Sequence, residues 1–208
     1  FRGTTVVYPL RRRKRIALAL ATAKAADLAL VVLGLPDSYE SESADRQHLD
    51  LPEDQNELLW QLLVVQSEVV VVLVNGSAVR MPWHSRAKAI VEAWLGGQAG
   101  AAALAEVLTG AVNPSGRLAE TFPLQLADTP SYLHFPGDGQ KVHYGEGIFV
   151  GYRYYDTKKI APLFPFGHGL SYTEFSYRDL DLSTRIMSDR DTLDLSVRVA
   201  NVGDREGA

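Results

Sequence analysis

The sequence predicts an α/β fold: a mostly parallel sheet flanked by helices (an α/β sandwich), followed by the beginning of a β-sandwich. Three observations carry that expectation. Strand-like and helix-like runs alternate up to residue 109, the pattern of a parallel sheet with covering helices. Two of the runs are strand-like: Leu28–Gly34 is continuously apolar, as in a strand buried on both faces, and Val69–Val74 is almost purely β-branched. After Phe175 the pattern changes to runs at 175–183 and 191–200. The second of these alternates apolar and polar residues, as a half-buried antiparallel strand does.

The elements follow in order. Residues 14–26 are rich in Ala, Leu and Lys, which favour helix. The basic run Arg11–Arg15 followed by Ile16–Ala23 imitates a secretory signal. Lys24 and Asp27 interrupt it and a strand follows at once, so a solvated helix start leading into a strand is the better reading. The same basic run fits a nuclear-import or nucleic-acid motif, which nothing else in the chain supports. Residues 28–34 form the first strand and 53–66 a helix, opened by acids after Pro52. The β-branched run 69–74 is the clearest strand, and Asn75-Gly76-Ser77 ends it as a turn. Those three residues also satisfy a glycosylation sequon, but their place at a strand end favours the turn. Ala87–Trp94 reads as a shorter strand. Gly96–Gly100 reads as a tight turn into an alanine-rich helix over 100–109, rather than as an anion site. Residues 112–173 are rich in Pro, Gly and aromatics with little periodicity; so long an irregular stretch is functional or wraps a neighbour.

Composition excludes several classes. The chain has 208 residues, 46% hydrophobic and 22% charged, with a net charge of -4, which gives no reason to expect a nucleic-acid or membrane partner. No run reaches the roughly 20 apolar residues of a membrane span. Without cysteine there is no disulfide framework and no thiolate nucleophile or metal ligand. The histidines at 48, 84, 134, 143 and 168 are scattered, with no HxxxH pair, so no metal site is expected. No GxSxG elbow is present. The sequence opens on Phe1 and stops at Ala208 within a turn-like segment, and the expectation is a piece of a longer protein.

The most informative stretch is 37–52, DSYESESADRQHLDLP. It follows the first strand and presents Glu40, Glu42, Asp45 and Arg46 at that strand's carboxyl end, where open α/β sheets place ligand sites. Two glutamates beside a fixed cation suit proton transfer on a polar substrate. The plainer reading is a solvated acidic loop.

Five stretches then share one resemblance: ESESADRQHLDLPEDQNELL (40–59), VVVVLVNGSAVRMPW (69–83), EAWLGGQAGAAALAEVLTGAVNPSGRLAETFP (92–123), YGEGIFVGYRYYD (144–156) and PLFPFGHGLSYTEFSY (162–177). In this order they resemble the carboxyl-terminal part of glycoside hydrolase family 3, β-glucosidase type. The resemblance implies a domain over 1–173 and a truncated fibronectin-III-like β-sandwich over 174–208. It implies a retaining β-glycosidase whose nucleophilic aspartate lies on an upstream (β/α)8 barrel, while a glutamate of the present domain serves as acid/base. Such a pair lies about 5–5.5 Å apart in the assembled site. The family loop reads Glu-Ser-Glu-Gly before Asp-Arg. This maps the acid/base to Glu42, with Glu40 the runner-up, and leaves Arg46 to hold the loop or contact a sugar hydroxyl, braced by Asp45. The implied partners are a β-glucoside or oligosaccharide and the barrel, with no cofactor.

Position 43 departs from the family, with Ser in place of Gly; Gly takes a positive φ freely and Ser only at a cost. Residues 1–13 match the family poorly, as if an inserted domain ended just before them. Glu146 in Tyr144-Gly-Glu-Gly147 reads as a brace of the long loop. Tyr152–Tyr155 read as packing, and His168 as a hydrogen-bonded structural residue. The alternative to an enzyme domain is a non-catalytic carbohydrate-binding or scaffolding module.

Overall fold

The structure, a computed structural model, describes residues 12–43 and 45–208. Residues 1–11, with Arg11 of the basic run, lie outside the described residues. So does Ala44 of the acidic loop. The described elements fall into two compact units.

The first unit is built on three parallel strands in the order β1-β2-β3: β1 (Ala29–Gly34), β2 (Val69–Val74) and β3 (Ala89–Glu92). Val31 pairs with Val71, and Val72 with Val91. Helix α1 (Arg12–Lys24) leads into β1, and α2 (Glu53–Val65) connects β1 to β2. The helix expected over 14–26 thus ends at Lys24, and the strand expected over 87–94 contracts to its centre. Glu53 and Asp54 stand in the first turn of α2, where the helix dipole favours them. Leu59, Leu62 and Leu63 form its buried stripe. The Gln66 side chain donates to the carbonyls of Ala23 (2.9 Å) and Ala26 (2.7 Å), tying the end of α2 to the end of α1.

The core lies on β2. Val69, Val71, Val72 and Leu73 are fully buried, with Val79 and Trp83 beyond the strand. Trp83 satisfies its indole N–H by donating to Asn56 Oδ1 at 3.1 Å. β1 corrects the expectation of burial on both faces. Val31 and Leu33 are buried, but Leu30 and Val32 are about half exposed, at 49% and 58%. Successive side chains point to opposite faces, so β1 is covered on the face of Val31 and Leu33 and open on the face of Leu30 and Val32 among the described residues. Gly34 ends β1 where a Cβ would strike the Val74 carbonyl oxygen. Gln55 of α2 accepts from the Gly34 N–H (2.9 Å) and donates to its carbonyl (2.8 Å).

The irregular stretch holds a 3-10 turn at Leu126–Asp128 and a short α-helix, α4 (Tyr152–Lys158), with Tyr155 buried. An isolated antiparallel bridge joins Phe122 to Phe164. The second unit comprises residues 101–118 and 168–208. It contains the helix predicted after Gly96–Gly100, α3 (Gly100–Thr109, all but its first residue), and an antiparallel pair, β4 (Phe175–Leu182) and β5 (Leu195–Asn201). Asn113 Oδ1 accepts from the Ser171 hydroxyl (3.0 Å) and the Tyr172 N–H (2.7 Å), so a side chain near the helix fixes the entry to β4.

Candidate active site

Three polar clusters meet at the carboxyl ends of the parallel strands, because each strand is followed by a turn carrying polar side chains. After β1 the chain turns over Pro36–Glu40, where the Pro36 carbonyl accepts from the N–H groups of Tyr39 (2.7 Å) and Glu40 (3.2 Å). After β2 comes the turn Asn75-Gly76-Ser77-Ala78. After β3 come Glu92 itself and Trp94.

Both carboxylate oxygens of Glu40 are engaged by the second turn. Oε2 accepts from the Gly76 N–H at 2.8 Å and Oε1 from the Ser77 hydroxyl at 2.6 Å. Arg46 reaches the same turn from the other side of the loop, donating through Nη2 to Ser77 Oγ (2.8 Å) and to the Ala78 carbonyl (2.9 Å). Burial pulls the Arg46 guanidinium below its ordinary range, and Glu40 and then Glu120 oppose that pull. The rings of Tyr39 and His48 meet edge to face at 5.9 Å, a further tie between the two limbs of the loop.

Between these ties stands Glu42, exposed and without a side-chain hydrogen bond among the described residues. Ser43 beside it has φ 67°, the left-handed region that a glycine takes freely. The serine adopts that conformation and bears its cost. Asp45 is exposed; among the described residues Arg46 is held by hydrogen bonds to Ser77 and Ala78 and by the charge of Glu40.

Several participants were not singled out from the sequence as site residues. Asn75 is fully buried, and its carboxamide donates to the Ser77 carbonyl (3.0 Å) and to Glu92 Oε2 (3.2 Å). A fully buried asparagine serves the turn and not the sequon. Glu92 Oε1 accepts from the Trp94 N–H at 3.0 Å. Burial pushes the Glu92 carboxyl up to about 7 against those two hydrogen bonds, with Glu120 and Glu40 adding to the rise. Burial also raises Glu120, which the Ala78 N–H and Arg46 partly offset. The sequence signal for these residues was their placement: Glu92 closes a strand run, and Asn75 and Ser77 follow one. A cavity of about 240 Å³ is lined by Arg46, Ser77, Glu120, Thr129 and the buried Tyr155. A larger one of about 390 Å³ lies against Tyr132, His134, Glu146, Tyr154 and Lys158 of the long irregular stretch. Among the described residues no group of three or more His, Cys, Asp or Glu side chains is placed to hold a metal ion.

The model of the "Glycosyl hydrolase family 3 C-terminal domain" matches residues 6–152. The chain belongs to glycosyl hydrolase family 3. The family membership extends to solved structures and to curated relatives. Thermostable beta-glucosidase B of Acetivibrio thermocellus is 57% identical over 189 residues, covering 91% of this chain and 25% of that protein. The Bifidobacterium adolescentis GH3 beta-glucosidase superposes with a TM-score of 0.88 at 45% identity, over 97% of this chain and 30% of that one. The beta-glucosidase from Kluyveromyces marxianus, solved in complex with glucose, superposes with a TM-score of 0.85 at 40% identity, over 96% of this chain and 24% of that one. The chain spans about a quarter of the length of the curated relatives it matches. Its three-stranded parallel sheet with flanking helices, followed by an antiparallel pair, fits the family's α/β domain.

Proposed function

We propose that this chain supplies the acid/base of a retaining β-glycosidase, a β-glucosidase that releases terminal non-reducing β-D-glucosyl residues. The observation that carries the reading is the contrast within the 36–46 loop. Glu40 and Arg46 hold the loop to the turn after β2, while Glu42 between them is exposed and without a side-chain hydrogen bond among the described residues, at the carboxyl edge of the sheet. A group that gives a proton to the leaving oxygen and later takes one from water must face the substrate rather than its own fold. The names of the relatives, and the glucose bound to one of them, support glucose as the sugar.

In this reading the nucleophilic aspartate stands on a (β/α)8 barrel elsewhere in the polypeptide. The loop completes the site with Glu42 about 5–5.5 Å from it, as retention requires. Arg46 and Asp45 are proposed to border the sugar.

The test is Glu42→Gln in the full-length enzyme. Hydrolysis of cellobiose or an alkyl glucoside, whose leaving groups need protonation, is expected to fall by about 10²–10⁴-fold. An activated aryl glucoside loses far less. Equal losses on both substrates would overturn the assignment. The 208-residue chain alone is expected to leave aryl β-glucosides intact; turnover by it would refute the division of labour.

A further inference from the structure

We propose that Ser77 is a positioning residue for the acid/base loop: its one hydroxyl pins both limbs of that loop to the end of β2, with Glu40 as the anionic arm and Arg46 as the cationic arm. The proposal rests on the reading of Glu42 as acid/base and concerns what aims it.

The geometry converges on a single atom. Ser77 Oγ donates its proton to Glu40 Oε1 (2.6 Å) and accepts from Arg46 Nη2 (2.8 Å), so it bridges an anion and a cation that flank Glu42 in sequence. Each arm makes one more bond to the same turn, Glu40 to the Gly76 N–H and Arg46 to the Ala78 carbonyl. A hydroxyl held between a carboxylate and a guanidinium is polarised from both sides, which strengthens both bonds. The turn is rigid beneath it: Asn75 is fully buried and fastened to the Ser77 carbonyl, and Ala78 and Val79 are buried. The loop between the arms gains nothing comparable from its own side chains, since Glu42, Ser43 and Asp45 are exposed. Its aim is therefore set from outside, by a scaffold on a core strand. Glu40, with both oxygens occupied, is a positioning residue in this scheme and not a proton donor.

Four variants of the full-length enzyme test this, each assayed on cellobiose and on an activated aryl glucoside. Ser77→Ala removes both bonds at once. It is expected to lower kcat on cellobiose about 10–100-fold, with KM within about twofold and a much smaller loss on the aryl glucoside, as for a misplaced acid. Ser77→Thr keeps the hydroxyl and is expected to restore most of that kcat. Glu40→Ala should reproduce the Ser77→Ala pattern, and the double variant should lose less than the product of the two, because both act through one contact. Glu40→Ala alone keeps the test alive should Ser77→Ala not fold. If Glu42→Gln shows the leaving-group dependence and neither Ser77→Ala nor Glu40→Ala does, the clamp is refuted and the acid/base reading stands. A loss from Ser77→Ala that is equal on both substrates, or that falls on KM, also refutes it. A Glu42→Gln variant without leaving-group dependence refutes the acid/base reading, and the clamp with it.

Discussion

Strands β2 and β5 both carry valine and leucine side chains and differ widely in how far they bury them. β2 is Val-Val-Val-Val-Leu-Val, and Val69, Val71, Val72 and Leu73 are at 0% exposure. β5 carries Leu195, Val197 and Val199, at 59%, 43% and 51%, opposite a β4 with Tyr177 at 70%. Apolar alternation therefore reports the capacity to bury a face, not its burial. The polar groups at the carboxyl end of the buried strand, Asn75 and Ser77, are fastened to neighbouring strand ends and hold the loop with Glu42. A buried strand gives such groups a fixed base.

Core substitutions should break this contrast most visibly. Trp83→Ala deletes the largest fully buried side chain and the partner of Asn56. It is expected to cost about 3–5 kcal/mol of unfolding free energy by denaturant titration. Amide exchange should follow the same division, with β2 amides opening only near the global limit and β4–β5 amides by local fluctuations.

Next comes the pH dependence of the strand ends. The folded Glu92 carboxyl keeps its proton up to about 7, whereas its ordinary value is 4.5. The stability this site contributes is therefore fully present below about 4.5 and is lost as pH rises through about 7. The difference is on the order of 3 kcal/mol at full ionisation. Glu92→Gln, neutral throughout, is expected to flatten the stability–pH curve between those values. An unchanged slope would mean that Glu92 ionises as in the unfolded chain.

Ser43→Gly relieves a left-handed serine at φ 67° and is expected to stabilise the chain by about 1 kcal/mol or less. If activity in the full-length enzyme then stays level, the serine holds the same loop path as glycine. Smallest of all, Tyr177→Ala on the exposed pair is expected to move stability by no more than about 0.5 kcal/mol. A loss near that of Trp83→Ala would erase the contrast between the two regions.

Much of the fold was legible because its cues are local. The run 69–74 is a strand over the same residues, and the helix expected over 100–109 forms there. Asn75-Gly76-Ser77 is the turn its composition announces. The limits of the other elements shifted by a few residues, since strand ends are set by pairing partners rather than by propensity: β3 keeps only the positions that reach Val70–Leu73 of β2. The family was legible too, because its motifs are long and in order. Within the loop, the resemblance put Glu42 ahead of Glu40, but nothing in the residue order told which charges the fold itself would hold.

What the sequence determined by itself, then, was the alternation of elements, the family and the short list of charged residues after β1. These depend on periodicity and on residue identity over short spans. Only the tertiary structure decided which of those charges are occupied. Glu40 and Arg46 find their partners 31 to 37 positions away, in a turn brought alongside by the parallel pairing of β1 with β2. Likewise, Glu92 acquires its raised carboxyl from burial beside Asn75, 17 positions earlier in the chain. A hydrogen bond or a desolvation cost depends on distance in space, and separation along the chain carries almost no record of that until the sheet has formed.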